Sequence, residues 1–301
     1  MPPSPPRILA IFGPTASGKS DVAEALAGRI PAELVSADSM QVYRGLPILT
    51  NQSPAHLVAV WPLDHEASVG EYGRLAHAAI DGILARERTP VVVGGTGLYL
   101  RAALGDLELP PAVPPETRTR WERIYDRIGG EQAHELLIER DPAAAVGIHP
   151  NDRRRVVRAL ELAEAGHSLA GARLWEASWR HPTLVFGLDV PKDELERRIV
   201  ARTHGMFERG VAQEVQSALA HRISDTARHV HGLREVATLT SDEAIPALIV
   251  RTRRYAAYQR KWMRRIPGVV MVDAARPAGE VADEILEVAC AREQLPARRA
   301  G

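Results

Sequence analysis

Residues 11–20 read IFGPTASGKS. Gly13-Pro14-Thr15-Ala16-Ser17-Gly18-Lys19-Ser20 meets every fixed position of the phosphate-loop pattern G-x-x-x-x-G-K-[ST]. The pattern has meaning only between a strand and a helix, and the flanks supply both. Residues 7–12, RILAIF, are a short apolar run bounded by Pro6 and Gly13, which predicts a buried strand. A helix from about Gly18 to Ile30 follows, with Val22, Leu26 and Ile30 spaced to face a sheet. In such a loop the backbone N–H groups and the helix N-terminus surround an anion. Lys19 adds a point charge, and the Ser20 hydroxyl stands where Mg²⁺ carried by the phosphates would sit. The cradle suits any diphosphate or triphosphate, nucleotides such as ATP included, and does not specify hydrolysis.

Working outward, AELVSADS (32–39) predicts a strand ending at Asp38, and HLVAV (56–60) a further one. Residues 71–88 have a helical pattern with Leu75, Ala79 and Ile83 on one stripe. PVVVGGTG (90–97) is a β-branched run with glycines at its carboxyl end, the mark of a central parallel strand. Strands alternating with helices imply an α/β fold, a P-loop NTPase-like parallel sheet core with its site at the strands' carboxyl ends. The alternation stops near residue 106. LELPPAVPP is a proline-rich hinge, and 116–176 reads as helical throughout. TLVFGLDV (183–190) resumes as a strand, a helix pair follows over 192–220, a long basic helix over 241–265, and GVVMVDA (268–274) is the last strand. The tail after Ala291 is expected to fray. The expected organisation is a catalytic core of 1–109 and 181–301, interrupted by an all-helical insertion domain at 110–180.

Composition narrows the class. The chain has 301 residues, 45% hydrophobic and 25% charged, ample for a soluble core. Its one cysteine, Cys290, excludes a disulfide framework and a cysteine-based zinc site, and suits a reducing cytoplasm. MPPSPPR has no apolar segment of the signal-peptide kind, and no run approaches the roughly 18 apolar residues a membrane span needs. Nothing indicates an oligomer, so a monomer is the default. Lys plus Arg equals Asp plus Glu at 38 each, yet the charge is unevenly placed: residues 250–265 hold seven Lys or Arg and no acid.

Two features bear on chemistry. An ATPase or GTPase usually places a second acid at the end of an apolar strand to help hold Mg²⁺. Val91-Val92-Val93 runs instead into Gly94-Gly95-Thr96. The strand-end acid is Asp38, which could hold metal through water, act as a general base, or simply close a turn or cap a helix. The other feature is basic. VRTRRYAAYQRKWMRR reads as one helix with Tyr255, Tyr258 and Trp262 along a stripe, a pattern that suits unstacked RNA bases and phosphates, or a helix packing its aromatics on the core. HPNDRRRVVRALE (149–161) has Asn151 or Asp152 as a cap. Arg154, Arg155 and Arg158 lie on one side, and Val156, Val157 and Leu160 on the other.

Taken in order, GPTASGKS, SADSMQVYRGL, PVVVGGTGLYLRAALG, HPNDRRRVVRALE, LERRIVARTHGMFERGVAQEV and TRRYAAYQRKWMRR resemble the bacterial tRNA dimethylallyltransferases, over nearly the whole chain. The resemblance implies transfer of a dimethylallyl group from dimethylallyl diphosphate to N6 of the adenosine 3′ of the anticodon, in tRNAs reading codons that begin with U. Diphosphate leaves, and Mg²⁺ is the implied cofactor, near Ser20. The loop, Gly13 to Ser20, would then hold a prenyl diphosphate, with Arg202 beside it. Asp38 would be the base that takes the proton from the amino group, and Lys19 would stabilise the leaving diphosphate. Ser39 and Gln41 would hold the base edge, with Met40 between them a further tRNA position, and Thr96 would approach the flipped nucleotide. Arg118, Arg154, Arg155 and Arg158 would grip the anticodon stem-loop, and Gly232, Arg234, Tyr258, Gln259, Arg260 and Trp262 are the further tRNA positions. The sequence departs from the family at LPILTNQSP (46–54), at Ala257-Tyr258, at His204 and at HGLRE (231–235).

Three rival readings compete. A small-molecule kinase predicts a second acid after the central strand and gives no reason for the arginine-rich segments. Prenylation of free adenine nucleotides would not need them either. An RNA-binding protein without catalysis leaves the intact loop, Asp38 and Arg202 unexplained.

Overall fold

A computed structural model describes residues 8–107, 110, 113–170 and 178–293. The first strand, β1 (Ile8–Phe12), is buried at every position, as expected of a central strand covered on both faces. The chain then runs through α1 (Lys19–Ala27), β2 (Ala32–Ser36), α2 (Val69–Ala85), β3 (Thr89–Gly94) and α3 (Gly97–Leu104). Four helices follow, α4 (Pro115–Ile128), α5 (Gly130–Arg140), α6 (Pro142–Ala145) and α7 (Arg153–Glu164). The sheet resumes with β4 (Thr183–Asp189), then α8 (Lys192–Glu208), α9 (Val211–Leu219), α10 (Leu233–Thr238), α11 (Ser241–Met263), β5 (Val270–Asp273) and α12 (Ala278–Glu293).

The five strands are all parallel, in the order β2-β3-β1-β4-β5. β1 pairs with β3 on one side (Ile11 opposite Val93) and with β4 on the other (Ile11 opposite Phe186). The chain turns from one half of the sheet to the other across β1, so the loop after β1 opens at the crevice where α/β proteins bind ligands. Leu9 and Ile11 pack with Val22, Ala23 and Leu26 of α1 and with Val281, Ala282 and Ile285 of α12.

Two local expectations change. HLVAV is not a strand. His56 makes a single bridge to Val35 of β2, after which Leu57 and Ala59 take left-handed backbone (φ 67° and 52°), so pairing ends there. In α2 the inward stripe is Tyr72, Gly73, Ala76, Ile80 and Ile83, while Leu75 faces solvent. The helix starts earlier than its apolar pattern suggests, at a cap where Ser68 Oγ accepts from Glu71 N–H. Its face is set by Gly73 lying against Ala102 of α3 and by the Tyr72 hydroxyl, which donates to the Ser36 carbonyl.

The chain divides into two compact units, one of 1–106 and 177–301, the other of 107–176. The smaller unit has its own core of Trp121, Ala133, Leu137, Ile148, Val156, Val157 and Leu160. Asp152 caps α7, as the sequence allows, by accepting from Arg155 N–H at 3.2 Å. The tail beyond 293 lies outside the described residues.

The turn after β3 is tight. A Cβ on Gly94 would stand 2.1 Å from the Ala37 carbonyl oxygen, where only backbone could move aside. Gly94→Ala is therefore expected to destabilise the fold by about 3 kcal/mol, the upper end of ordinary overpacking, read as a lowered urea midpoint.

Candidate active site

The loop between β1 and α1 needs left-handed backbone at Ala16 (φ 64°) and Gly18 (φ 86°), the second at the N-cap of α1. Gly13 packs closely, since a Cβ there would stand 2.7 Å from Ser17 Oγ and 3.2 Å from Leu188 Cβ. Ser17 is buried and its hydroxyl has no protein partner. The Lys19 ammonium donates to the Pro14 carbonyl at 2.7 Å. From α8, Arg202 Nη1 donates to Thr15 Oγ1 at 3.1 Å.

Asp38 reaches the same place from the far side of β1. Beyond β2, Ala37 N–H still bonds the Val93 carbonyl at 2.7 Å, which continues the pairing with β3 and aims the next residue across the sheet's end. The Asp38 carboxylate accepts from Met40 N–H at 2.9 Å, the turn-closing contact one reading of the sequence predicts. It also faces the cations. Withdrawal from water brings the Lys19 ammonium down to about 8, a shift that Asp38 opposes and Arg202 reinforces. Burial likewise lowers Arg202, against the pull of Asp38.

These residues line one cavity of about 460 Å³. Of the expected site residues its wall includes Thr15 to Ser20, Asp38, Met40, Gln41, Arg202 and Gln259. Ser39 and Thr96 stand behind it, hydroxyl to hydroxyl at 3.3 Å. Thr96 occupies the N-cap position of α3 but makes no side-chain cap bond. Gln41 spends its amide inside the protein, accepting from Ser36 Oγ at 2.8 Å and donating to the Thr50 and Asn51 carbonyls.

The remaining positions lie elsewhere. Gly232 is the left-handed N-cap of α10 (φ 86°), pressed against Leu248, and Arg234, two residues on, is exposed. Arg260 pairs with Asp189 at 2.8 Å. Tyr258 is 55% exposed and meets Trp262 edge-on. Arg118, Arg154, Arg155 and Arg158 belong to the 107–176 unit. The first three are exposed, with Arg118 beside Glu122, and Arg158 pairs with Glu161 at 2.8 Å.

The cavity also holds residues that sequence reasoning missed. Arg198, one turn before Arg202 on α8, lines it and directs Nη1 toward the Ser17 carbonyl at 3.5 Å, while Arg197 is surface. The i, i+4 spacing of Arg198 and Arg202 was the available signal. Tyr255, which the sequence placed on the aromatic stripe without assigning it to this cavity, and His231 stack with ring centres 5.1 Å apart and form another wall. Burial and nearby Arg251 push the His231 imidazole down to about 4, so it is neutral near pH 7. Burial and Asp38 raise the Tyr255 phenol, which stays a neutral hydrogen-bonding group. Leu49, Thr50 and Asn51 come from the divergent 46–54 segment, whose turn is fixed by Glu214 accepting from Ile48 and Leu49 N–H. No local pattern marks these three as site residues.

A divalent cation fits this donor set in one way. Among the described residues no cluster of His, Cys, Asp or Glu could hold a metal unaided. The Ser20 hydroxyl at the start of α1, opposite Asp38, suits a Mg²⁺ that keeps most of its shell as water and phosphate oxygen.

Lys19 sets a pH limit for anion binding. Its folded value lies below the ordinary 10.5, so its charge is present below about 8 and lost as pH rises through that value. Affinity for inorganic diphosphate is expected to fall between pH 7 and 9.5, with proton uptake on binding in the upper part of the range. Calorimetry in buffers of different ionisation heat measures both.

The IPP transferase family model matches residues 41–266. Curated tRNA dimethylallyltransferases from Kineococcus radiotolerans and Streptomyces coelicolor are each 40% identical to this chain. They align over 87% and 89% of it and over 89% and 90% of their own length. Among solved structures, a tRNA isopentenylpyrophosphate transferase from Bacillus halodurans superposes with a TM-score of 0.68 at 31% identity, over 95% of this chain and 96% of that one. A eukaryotic dimethylallyltransferase acting on tRNA gives 0.77 at 25% identity, over 98% and 82%. With a phosphate loop, an acid and an arginine converging on one cavity, the chain belongs to the IPP transferase family.

Proposed function

We propose that the protein is a tRNA dimethylallyltransferase. It moves the dimethylallyl group of dimethylallyl diphosphate to N6 of the adenosine 3′-adjacent to the anticodon in tRNAs reading codons that begin with U. The products are N6-dimethylallyladenosine and diphosphate. The observation that carries this reading is the placement of Asp38 opposite Lys19 and Arg202 across one cavity. The relatives' shared name supports it.

The chemistry follows from the side chains. An adenine amino group is a weak nucleophile and must lose a proton as it attacks. The Asp38 carboxylate takes that proton as the N6–carbon bond forms. The carbon–oxygen bond to the diphosphate breaks, and its electron pair stays on the departing oxygen. Lys19, Arg202 and the loop N–H groups, with Arg198 beside them, stabilise the charge that grows there. A divalent cation at Ser20, when bound, shares that neutralisation. The neutral Tyr255 and His231 rings offer the uncharged wall a prenyl chain requires.

The acceptor must leave its stack, which takes a few kcal/mol. The exposed Arg118, Arg154 and Arg155, Arg158 with them, and Tyr258 and Trp262 are proposed to grip the anticodon stem-loop, offsetting that cost through phosphate contacts and stacking. No helix among the described residues is long and apolar enough to cross a membrane, and we place the protein in the cytoplasm as a monomer. A kinase would need a second strand-end acid on the phosphates. β3 ends in glycine, and Asp189 at the end of β4 is bound to Arg260.

The test uses purified protein, Mg²⁺, dimethylallyl diphosphate and an anticodon stem-loop RNA with adenosine 3′ of the anticodon, read by mass spectrometry of the digested RNA. Prenylated adenosine is expected from the stem-loop and not from adenosine monophosphate. Asp38→Asn should lower kcat by about 10²- to 10⁴-fold with little change in RNA affinity. Product only from the free nucleotide, or ATP consumption without prenylation, would overturn the reading.

A further inference from the structure

The buried stripe of α11 is Ala244, Leu248, Thr252, Ala256, Gln259 and Met263, spaced by four, four, four, three and four residues. Within this otherwise small or apolar stripe, between Ala256 and Met263, sits an amide that is 3% exposed. A buried amide is tolerated where its donor and acceptor are both satisfied. Gln259 Oε1 accepts from Thr15 N–H in the phosphate loop at 2.7 Å, and Nε2 donates to the Gly95 carbonyl at 2.9 Å. The fit is close: a Cβ on Gly95 would stand 2.3 Å from Nε2.

Both bonds end on segments that carry reacting-site residues. Thr15 is the residue whose hydroxyl receives Arg202. Gly95 precedes Thr96, which bonds Ser39 next to Asp38. Tyr258 and Arg260, on either side in sequence, lie off this stripe. A nucleic acid on the outer face of α11 would therefore meet Tyr258 and not Gln259.

We propose that Gln259 is a positioning residue. Its carboxamide ties the phosphate loop to the Gly95–Thr96 turn and so fixes the separation between the anion cradle (Lys19, Arg202) and the acceptor side (Asp38, Ser39, Thr96). It acts through Thr15 and Gly95: although the residue forms part of the cavity wall, its carboxamide is spent on those two bonds. The inference rests on the cavity being the prenyl diphosphate site. A displacement of about 1 Å between reacting groups lowers rates by about 100-fold, so a loosened tie shows first in kcat.

Gln259→Met keeps length and volume and removes both bonds. Gln259→Glu keeps the acceptor for Thr15 and loses the donor to Gly95. Three readouts on the full-length protein separate the outcomes: inorganic diphosphate affinity by calorimetry without RNA, stem-loop RNA affinity by fluorescence anisotropy without diphosphate, and single-turnover prenylation. The expected result for Gln259→Met is an unfolding temperature within a few degrees of wild type and RNA affinity within about twofold. Diphosphate affinity should fall about tenfold and the transfer rate about 10- to 100-fold. Gln259→Glu should retain more of the diphosphate affinity than of the rate. Gly95→Ala, which displaces the same amide, should reproduce the Met phenotype, and the double variant should be no worse than either single one. Normal transfer in Gln259→Met overturns the proposal. So does a loss of RNA affinity with diphosphate affinity intact, which would make Gln259 a direct RNA contact. Wild-type protein that binds diphosphate but does not prenylate RNA would overturn the functional reading alone, because the tie would still be read in diphosphate affinity.

Discussion

The architecture depends on holding one carboxylate and two cations partly out of water at the end of a parallel sheet. Asp38 lowers the penalty of burying Lys19 and Arg202. Neighbouring charges of this kind stay in register only if each backbone segment is fixed independently. Lys19 follows the strained turn at Ala16 and Gly18, Arg202 rides on α8, and Asp38 follows the extra pairing of Ala37 with Val93. Three separate elements thus converge at the end of β1, a strand buried at every position.

Much of this was legible in the chain because it follows from local physics. The loop between an apolar run and an amphipathic helix specifies an anion cradle from eight residues. The β-branched run ending in Gly94-Gly95 predicts a central parallel strand, and β3 lies between β2 and β1. The apolar and arginine sides of 149–161 predicted that Val156, Val157 and Leu160 would turn inward. What was not legible depends on where distant segments meet. Leu75 and Tyr72 are both plausible inward residues of α2 by period, and only Ala102 and the Ser36 carbonyl decide between them. HLVAV has strand composition but meets β2 at a single residue. Arg198, His231, Tyr255 and Asn51 join the cavity from four separate elements or loops, with no shared motif.

Gln259 shows the same limit from the other side. The resemblance places it among RNA-facing positions because it stands in QRKWMRR, whereas its helical phase puts it on the buried stripe beside Ala256 and Met263. A motif groups residues by sequence, while a helix distributes them around 360°, so neighbours in one motif can serve opposite sides of a wall. α11 does this at Tyr258, Gln259 and Arg260.

The Gln259–Thr15 bond joins residues 244 apart, and the Gln259–Gly95 bond joins residues 164 apart. The phosphate-loop segment is made near the beginning of translation, and the side chain that anchors it near the end. A nascent chain still lacking α11 can already form β1, the loop and α1, but leaves the Thr15 amide unanchored. Such contacts of very high sequence separation form late, after the entropy of closing a long loop has been overcome. Completion of the catalytic geometry is thereby tied to completion of the chain, and a polypeptide truncated before residue 259 carries the phosphate-loop motif without the tie that sets it.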